Sequence, residues 1–279
     1  MSSLDPASRA RRPGPTVRTR VTEHADVGER KREDRLATEE PLEIRLAGNG
    51  LPARRIWVTM RTPGNDFELA AGFAANESLI SPGDIRQVAY CTDADLDPEQ
   101  EFNVVTITVA GAVDIAPRHA ALSSGSSACG VCGKDSVASV LDVRASETWA
   151  GPIPSPDVVR SLPDALREQQ PHFKRTGGVH AAALADVEGR LLVVREDVGR
   201  HNAVDKVIGA RILAGEPRSA ACLVVSGRAG FELVQKAVAS GIGSLVSVGA
   251  PTSLSVRLAT ESGVALFGFT DASRCVQYA

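Results

Sequence analysis

The chain has 279 residues, of which 43% are hydrophobic and 4% aromatic, with a formal net charge of −3. That length holds two modest domains or one large one, with a core filled by aliphatic and Ala side chains. The low aromatic content and near-neutral charge argue against stacked nucleobases and a global basic field for nucleic acid, and no apolar run approaches the ~20 residues that span a bilayer. The N-terminus carries no apolar signal core, so a soluble, cytoplasmic protein is expected, binding neither nucleic acid nor membrane.

Residues 1–38 read as a disordered tail, rich in Arg, Glu, Asp, Pro and Ser, with the mixed-sign run Glu29-Arg30-Lys31-Arg32-Glu33-Asp34-Arg35. Order begins near Pro41. Leu42 to Leu46 alternates apolar and charged residues as a half-buried strand, and Asn49-Gly50 offers a tight turn. Ile56 to Met60 is a second strand. Thr62-Pro63-Gly64-Asn65-Asp66 breaks it and caps a helix from Phe67 to Glu77. Asp84–Tyr90 and Asn103–Val109 are strands by β-branched content, and Cys91 is a core or strand-end thiol. These elements predict a small α+β domain over residues 39–120.

Residues 121–150 are expected to be a mobile loop with a short helix from Asp135 to Val143. The loop sequence Ser123-Ser124-Gly125-Ser126-Ser127-Ala128-Cys129-Gly130-Val131-Cys132-Gly133-Lys134 holds two of the five cysteines. Its Ser and Gly residues bury little and leave the backbone loose, so both thiols are expected to be reachable. A C-x-x-C pair has four chemical readings. As half a zinc site it lacks a second pair or two histidines. As a redox dithiol it lacks the strand that usually precedes a helix-capping motif. As a structural disulfide it sits poorly with an odd Cys count. A nucleophilic thiol that carries a group as a mixed disulfide or persulfide suits the exposure best. Spacing alone does not separate redox exchange from group carriage.

Gly151-Pro152-Ile153-Pro154-Ser155-Pro156 is a linker by composition, opening a second domain at 151–279. Asp157 to Gln169 is helical, with Pro163 expected to kink or restart it. Val179–Leu184, Leu191–Val194, Cys222–Val225, Leu245–Val248 and Val264–Phe269 read as strands. Helices are expected over His201–Ala214, Phe231–Ser240 and Ser253–Glu261. The alternation predicts an α/β (α+β) sheet with helices on its faces. Asp186-Val187-Glu188-Gly189 predicts antiparallel pairing of the first two strands. Cys222 is expected in the core, whereas Cys275 beside Arg274 is open to either reading.

Three turns at strand ends carry polar and Gly residues. Phe173 to His180 sets Lys174, Arg175 and Thr176 before Gly177 and Gly178, a backbone that lets N–H groups approach an anion, or else a plain charged turn. Asp197, Arg200, His201 and Asn202 cluster where a strand meets a helix, at a ligand-binding edge or as caps. Ser226, Gly227 and Arg228 form a phosphate-loop-like turn that lacks the full nucleotide-binding pattern. On one side of a sheet, the three together suggest a polyanionic, nucleotide-containing ligand.

Cys129-Gly130-Val131-Cys132-Gly133, Thr176-Gly177-Gly178-Val179-His180, the run from Glu196 to Lys206, Ser226-Gly227-Arg228, and Met60 to Gly64 with Gly72-Phe73, in this order, resemble the FdhD family of formate dehydrogenase accessory sulfurtransferases. The similarity runs from about Pro41 to the C-terminus. It implies a sulfur carrier, loaded as a persulfide on Cys129 by a cysteine desulfurase, with Cys132 as partner cysteine and Lys134 helping to stabilise the thiolate. It implies transfer of that sulfur to the molybdenum or tungsten bis-guanine-dinucleotide cofactor, bound as ligand and substrate, for formate dehydrogenase. It also implies a C-terminal domain similar to the cytidine deaminase fold, without that enzyme's zinc signature or a metal of its own, and a homodimer. The cofactor-contact region of the family falls on Phe269, Thr270, Asp271, Ala272, Ser273 and Arg274. The rival readings are a cofactor-binding maturation chaperone without sulfur transfer and a zinc-structural module.

Overall fold

The computed structural model describes residues 12–48, 50, 52–92, 101–111 and 149–279. Asn49, the cysteine loop with Cys129, Cys132 and Lys134, and the helix expected at Asp135–Val143 lie outside the described residues.

Residues 16–37 are not the structureless tail their composition predicts. They form an antiparallel ribbon of β1 (Thr16–Ala25) and β2 (Gly28–Ala37). Cross-strand ion pairs stitch it, Arg18 to Glu33 at 3.0 Å and Arg30 to Glu23 at 2.8 Å. Composition alone registers the charges; the register that sets Arg20 opposite Glu33 and Glu23 opposite Arg30 is a pairing property.

The first unit is a four-stranded sheet in the order β4-β3-β6-β5, from β3 (Glu40–Gly48), β4 (Arg54–Arg61), β5 (Ile85–Tyr90) and β6 (Val104–Val109). Period-2 alternation puts Leu42, Ile44 and Leu46 of β3 in the core. Helix α1 (Asp66–Asn76) covers that face with Leu69, Ala70, Phe73 and Ala74. The Trp57 and Phe73 rings stack at 4.0 Å, 9° apart. Gly64 (φ 107°) and Asn65 (φ 57°) make the reversal that starts α1, a left-handed path that favours these residue types.

The second unit is a six-stranded mixed sheet in the order β12-β11-β10-β9-β7-β8. Its strands are β7 (His180–Ala185), β8 (Leu191–Asp197), β9 (Cys222–Val225), β10 (Ser244–Ser247), β11 (Ala265–Gly268) and β12 (Val276–Gln277). β9, β10 and β11 run parallel, and β7 pairs antiparallel with both β8 and β9. Helices cover both faces, as expected. Helix α2 (Pro156–Glu168) lays Val159, Leu162 and Leu166 on Ala183, Cys222, Val224 and Val246. The opposite face, with Leu184, Leu223, Val225 and Leu245, meets α4 (Arg200–Leu213), α5 (Phe231–Ala239) and α6 (Ser253–Ser262).

Two expectations are corrected. Pro163 does not restart α2, which runs through it as one helix with Ser155 as N-cap and Pro156 in the first turn. The stretch before the Gly pair is not a plain turn: Pro171–Thr176 forms a short helix, α3, ended by Gly177 at φ 65°. Lys174 and Arg175 sit in its last turn, where cations suit the carbonyl end.

Candidate functional site

The parallel strands β9, β10 and β11 end together, where open α/β sheets place ligands. A cavity of about 500 Å³ opens there, under α2 and α3. Gly177, Gly178, His180, Ser226, Thr270 and Asp271, all singled out by sequence, line it. The turns that bear them therefore do share one side of the sheet. The Ser226 hydroxyl accepts from the Ala181 amide at 2.9 Å and lies 3.4 Å from His180 Nδ1. Burial, then the neighbouring Arg200 and His201 charges, lowers the His180 pKa from its ordinary value, favouring the neutral imidazole.

The surrounding predicted residues shape this edge. Thr176 Oγ1 donates to the His172 carbonyl and accepts from the Gly178 amide, fixing the approach to β7. Gly227 packs between His180 and Arg200: a Cβ there would sit 3.4 Å from the imidazole and 3.8 Å from Arg200 Cδ. Arg228 lies against Gly249, where a Cβ would meet its Cγ at 2.9 Å. Past β11, Asp271 Oδ1 accepts from the Ser273 amide, the Ser273 hydroxyl and the Arg274 amide, closing a turn around the exposed Ala272. Phe269 has φ 49°, is 40% exposed and carries the Arg274 guanidinium 5.6 Å from its ring centre.

The polar cluster from Asp197 to Asn202 divides. Asp197 is fully buried; its Oδ2 is 2.7 Å from Lys206 Nζ and accepts from the Thr62 amide at 3.2 Å. Its Oδ1 accepts from Gly199 N and Asn202 Nδ2. Asn202 Nδ2 also donates to the Met60 carbonyl at 2.8 Å, and Lys206 Nζ to the Thr62 carbonyl at 2.9 Å. Asp197 and Asn202 thus tie the end of β4 to the second unit and lie away from the cavity lining. His201 pairs with Glu232 at 2.8 Å. Arg200 stays beside the cavity edge, with Nε buried and without a partner among the described residues.

Sequence reading missed the cavity wall built by α2 and α3. Asp164, Arg167, Gln170 and Phe173 all line it; their spacing of three, three and three was the available signal. Arg167 lies 4.0 Å over the Phe173 ring. Sequence reading also missed the buried Arg61–Asp66 pair, in which Arg61 reaches Asn103 and Tyr90 donates to Asp66 at 2.7 Å. Burial, aided by Asp66, pushes the Tyr90 phenol well above its ordinary value. Among the described residues, no group of three His, Cys, Asp or Glu side chains is arranged to hold a metal, and no helix is long and apolar enough to cross a membrane.

Fold and cavity define a class: an α+β protein of three sheets among the described residues, a two-stranded ribbon and sheets of four and six strands, with a ligand-sized cavity at the carboxyl ends of three parallel strands. The same fold occurs in a crystal structure from Desulfotalea psychrophila described as a formate dehydrogenase accessory protein, at TM-score 0.72 and 24% identity, covering 94% of this chain and 96% of that one. The chain belongs to the FdhD/NarQ family, whose model matches residues 37–279. It is 46% identical over 264 residues to a sulfur carrier protein FdhD of Streptomyces avermitilis, covering 91% of this chain and 90% of the relative. It is 44% identical over 274 residues to the protein of the same name in Streptomyces coelicolor, covering 95% and 94%.

Proposed function

We propose that this protein is a cytoplasmic sulfur carrier that loads sulfur on Cys129 and delivers it to the molybdenum or tungsten bis-guanine-dinucleotide cofactor, as formate dehydrogenase requires. The observation that carries this reading is family membership across residues 37–279 with relatives named as sulfur carriers, together with the Cys129-Gly130-Val131-Cys132 pair. In the loading step the Cys129 thiolate attacks the terminal sulfur of a desulfurase persulfide. The S–S bond to the desulfurase breaks, its thiolate leaves, and Cys129 holds the persulfide with no net oxidation. Cys132 is the partner thiol. The cavity at the strand ends, with His180, Ser226 and Thr270 on its wall, supports a place for one end of the cofactor as substrate. Its buried polar atoms Gln170 Nε2 and Thr270 Oγ1, without a hydrogen-bond partner among the described residues, fit a hydrogen-bonding ligand. A homodimer is part of the same reading.

Intact mass spectrometry after incubation with a cysteine desulfurase and L-cysteine tests it. A gain of one sulfur mass, reversed by reductant and lost in Cys129→Ala, is expected. No gain in the wild-type chain overturns the carrier reading. A gain lost only in Cys132→Ala exchanges the two roles. The second reading, a maturation chaperone that binds cofactor without sulfur transfer, is favoured by the cavity walls that the described residues build at the strand ends. It predicts that the Cys129→Ala, Cys132→Ala double variant still supports formate dehydrogenase activity.

A further inference from the structure

The ribbon of β1 and β2 lies almost wholly ahead of residues 37–279, which the family model matches, so membership assigns it no role. A two-stranded ribbon is marginal in water by itself. This one runs roughly 30 Å. At its foot the Thr38 amide donates to the Pro15 carbonyl at 3.0 Å, and Val27 at its tip is 100% exposed. Residues paired across such a ribbon point to one face, and the next rung points to the other. Glu23, Arg30, Arg32 and Asp34 therefore share one face, and Arg18, Arg20, Glu29, Lys31, Glu33 and Arg35 share the opposite one. The first face neutralises itself: Arg30 lies 2.8 Å from Glu23, and Arg32 lies 3.0 Å from Asp34. The second does not. Arg18 takes Glu33 at 3.0 Å and His24 takes Glu29 at 3.1 Å. The side chains of Arg20, Lys31 and Arg35 are left without a hydrogen bond or ion pair among the described residues. Arg35 also stands directly opposite Arg18, a like-charge pairing that weakens a ribbon. Arg18, Arg20 and Lys31 are exposed.

We propose that this face docks an extended acidic segment of a partner protein, with carboxylates at alternate positions. The three free cations sit on successive rungs of that face: Arg35, then Arg20 beside Glu33, then Lys31. Neighbouring rungs of one face are ~7 Å apart, the spacing at which an extended chain presents every second side chain. One carboxylate then meets each free cation. A second copy of this face is a poor occupant, because it brings the same excess of cations over carboxylates. A nucleic acid duplex is disfavoured as well: its closely spaced phosphates would run over Glu29 and Glu33 on the same face. Exposed ion pairs are individually weak and screened by salt, so three of them make a transient dock that steers the approach of a partner. The inference goes beyond the sulfur-carrier reading and does not rest on it.

Fluorescence anisotropy of a labelled peptide of alternating Glu and Thr, titrated with the full chain, tests this. Binding is expected at about 50 mM salt and should weaken by about tenfold or more at about 300 mM. The triple variant Arg20→Thr, Lys31→Thr, Arg35→Thr is expected to weaken it by about tenfold or more at the lower salt. It should not lower the melting temperature, because the deleted charges bond nothing in the described chain and Thr suits a strand. Arg30→Thr, on the self-neutralised face, is expected to change the affinity less than about twofold. Lys31→Glu alone, expected to weaken binding by about threefold or more, gives the reading if the triple variant loses the ribbon. No binding by the wild-type chain overturns the proposal, as does unchanged affinity in both the triple variant and Lys31→Glu. Tighter binding of a DNA duplex of the same length gives the face to nucleic acid and overturns it too. So does peptide binding that appears only after Asp93→Asn, Asp95→Asn and Asp97→Asn, which gives the face to the acidic run of the chain itself.

Discussion

Gly72 of α1 and Gly209 of α4 meet backbone to backbone. A Cβ on Gly72 would lie 1.9 Å from the Asp205 carbonyl oxygen, and one on Gly209 would lie 1.8 Å from the Glu68 carbonyl oxygen. Neither clash can be relieved by a side-chain rotation, because both partners are main chain. The crossing joins the helix that covers the first sheet to one that covers the second. Gly72→Ala and Gly209→Ala should each cost about 3 kcal/mol or more, the upper end of overpacking. Urea unfolding measures it; a loss under about 1 kcal/mol would mean that the helices separate freely.

Next to this crossing, Asp205 and Lys236 form a buried pair, with Nζ 2.8 Å from Oδ1. Asn76 Nδ2 donates to the same carboxylate at 2.7 Å, and Ser240 donates to Asn76 Oδ1. Burial pushes the Asp205 carboxyl up, against the pull of Lys236. Lys236→Met strands a buried carboxylate and should cost about 3–5 kcal/mol. Adding Asp205→Asn should recover part of that loss. Additive losses in the double-mutant cycle would show the pair to be uncoupled.

His180 ties stability to pH. Its folded pKa lies below the ordinary 6.5, mainly through burial. The unfolded chain therefore binds a proton first as pH falls. The contribution is complete above the unfolded value and is lost as pH drops below it toward the folded value. Between about pH 8 and about pH 5, wild-type stability should decline more steeply than that of His180→Asn. Identical slopes in denaturation midpoints would remove His180 from the titration.

Cys222 should be inert. It is fully buried in β9 and its thiol is pushed up to about 12, chiefly by burial. A maleimide reagent should leave it unmodified in the native protein and label it in denaturant, as read by peptide mass spectrometry. Labelling under native conditions would mean that β9 opens.

The local patterns of this chain were legible without coordinates. Alternation along Leu42–Leu46 and the strand–helix succession after residue 179 depend on near neighbours, and both appear as read. The sequence leaves open whether the turns bearing His180 and Ser226 share a side of the sheet; the structure puts both on one edge, with Thr270 beside them. The ribbon at 16–37 was not legible, because it is a backbone ladder between two strands of mostly charged, exposed residues and carries no apolar periodicity. Within the run from Glu196 to Lys206, the sequence shows seven polar side chains with nothing to separate them. Only the tertiary structure decides that Asp197, Asn202 and Lys206 turn toward Met60 and Thr62, more than 130 residues away, while Arg200 turns toward Gly227. The same holds for Gln170, whose amide looks like ordinary surface in the sequence. It becomes a buried donor without a partner among the described residues once α2, α3 and the ends of three parallel strands close around it.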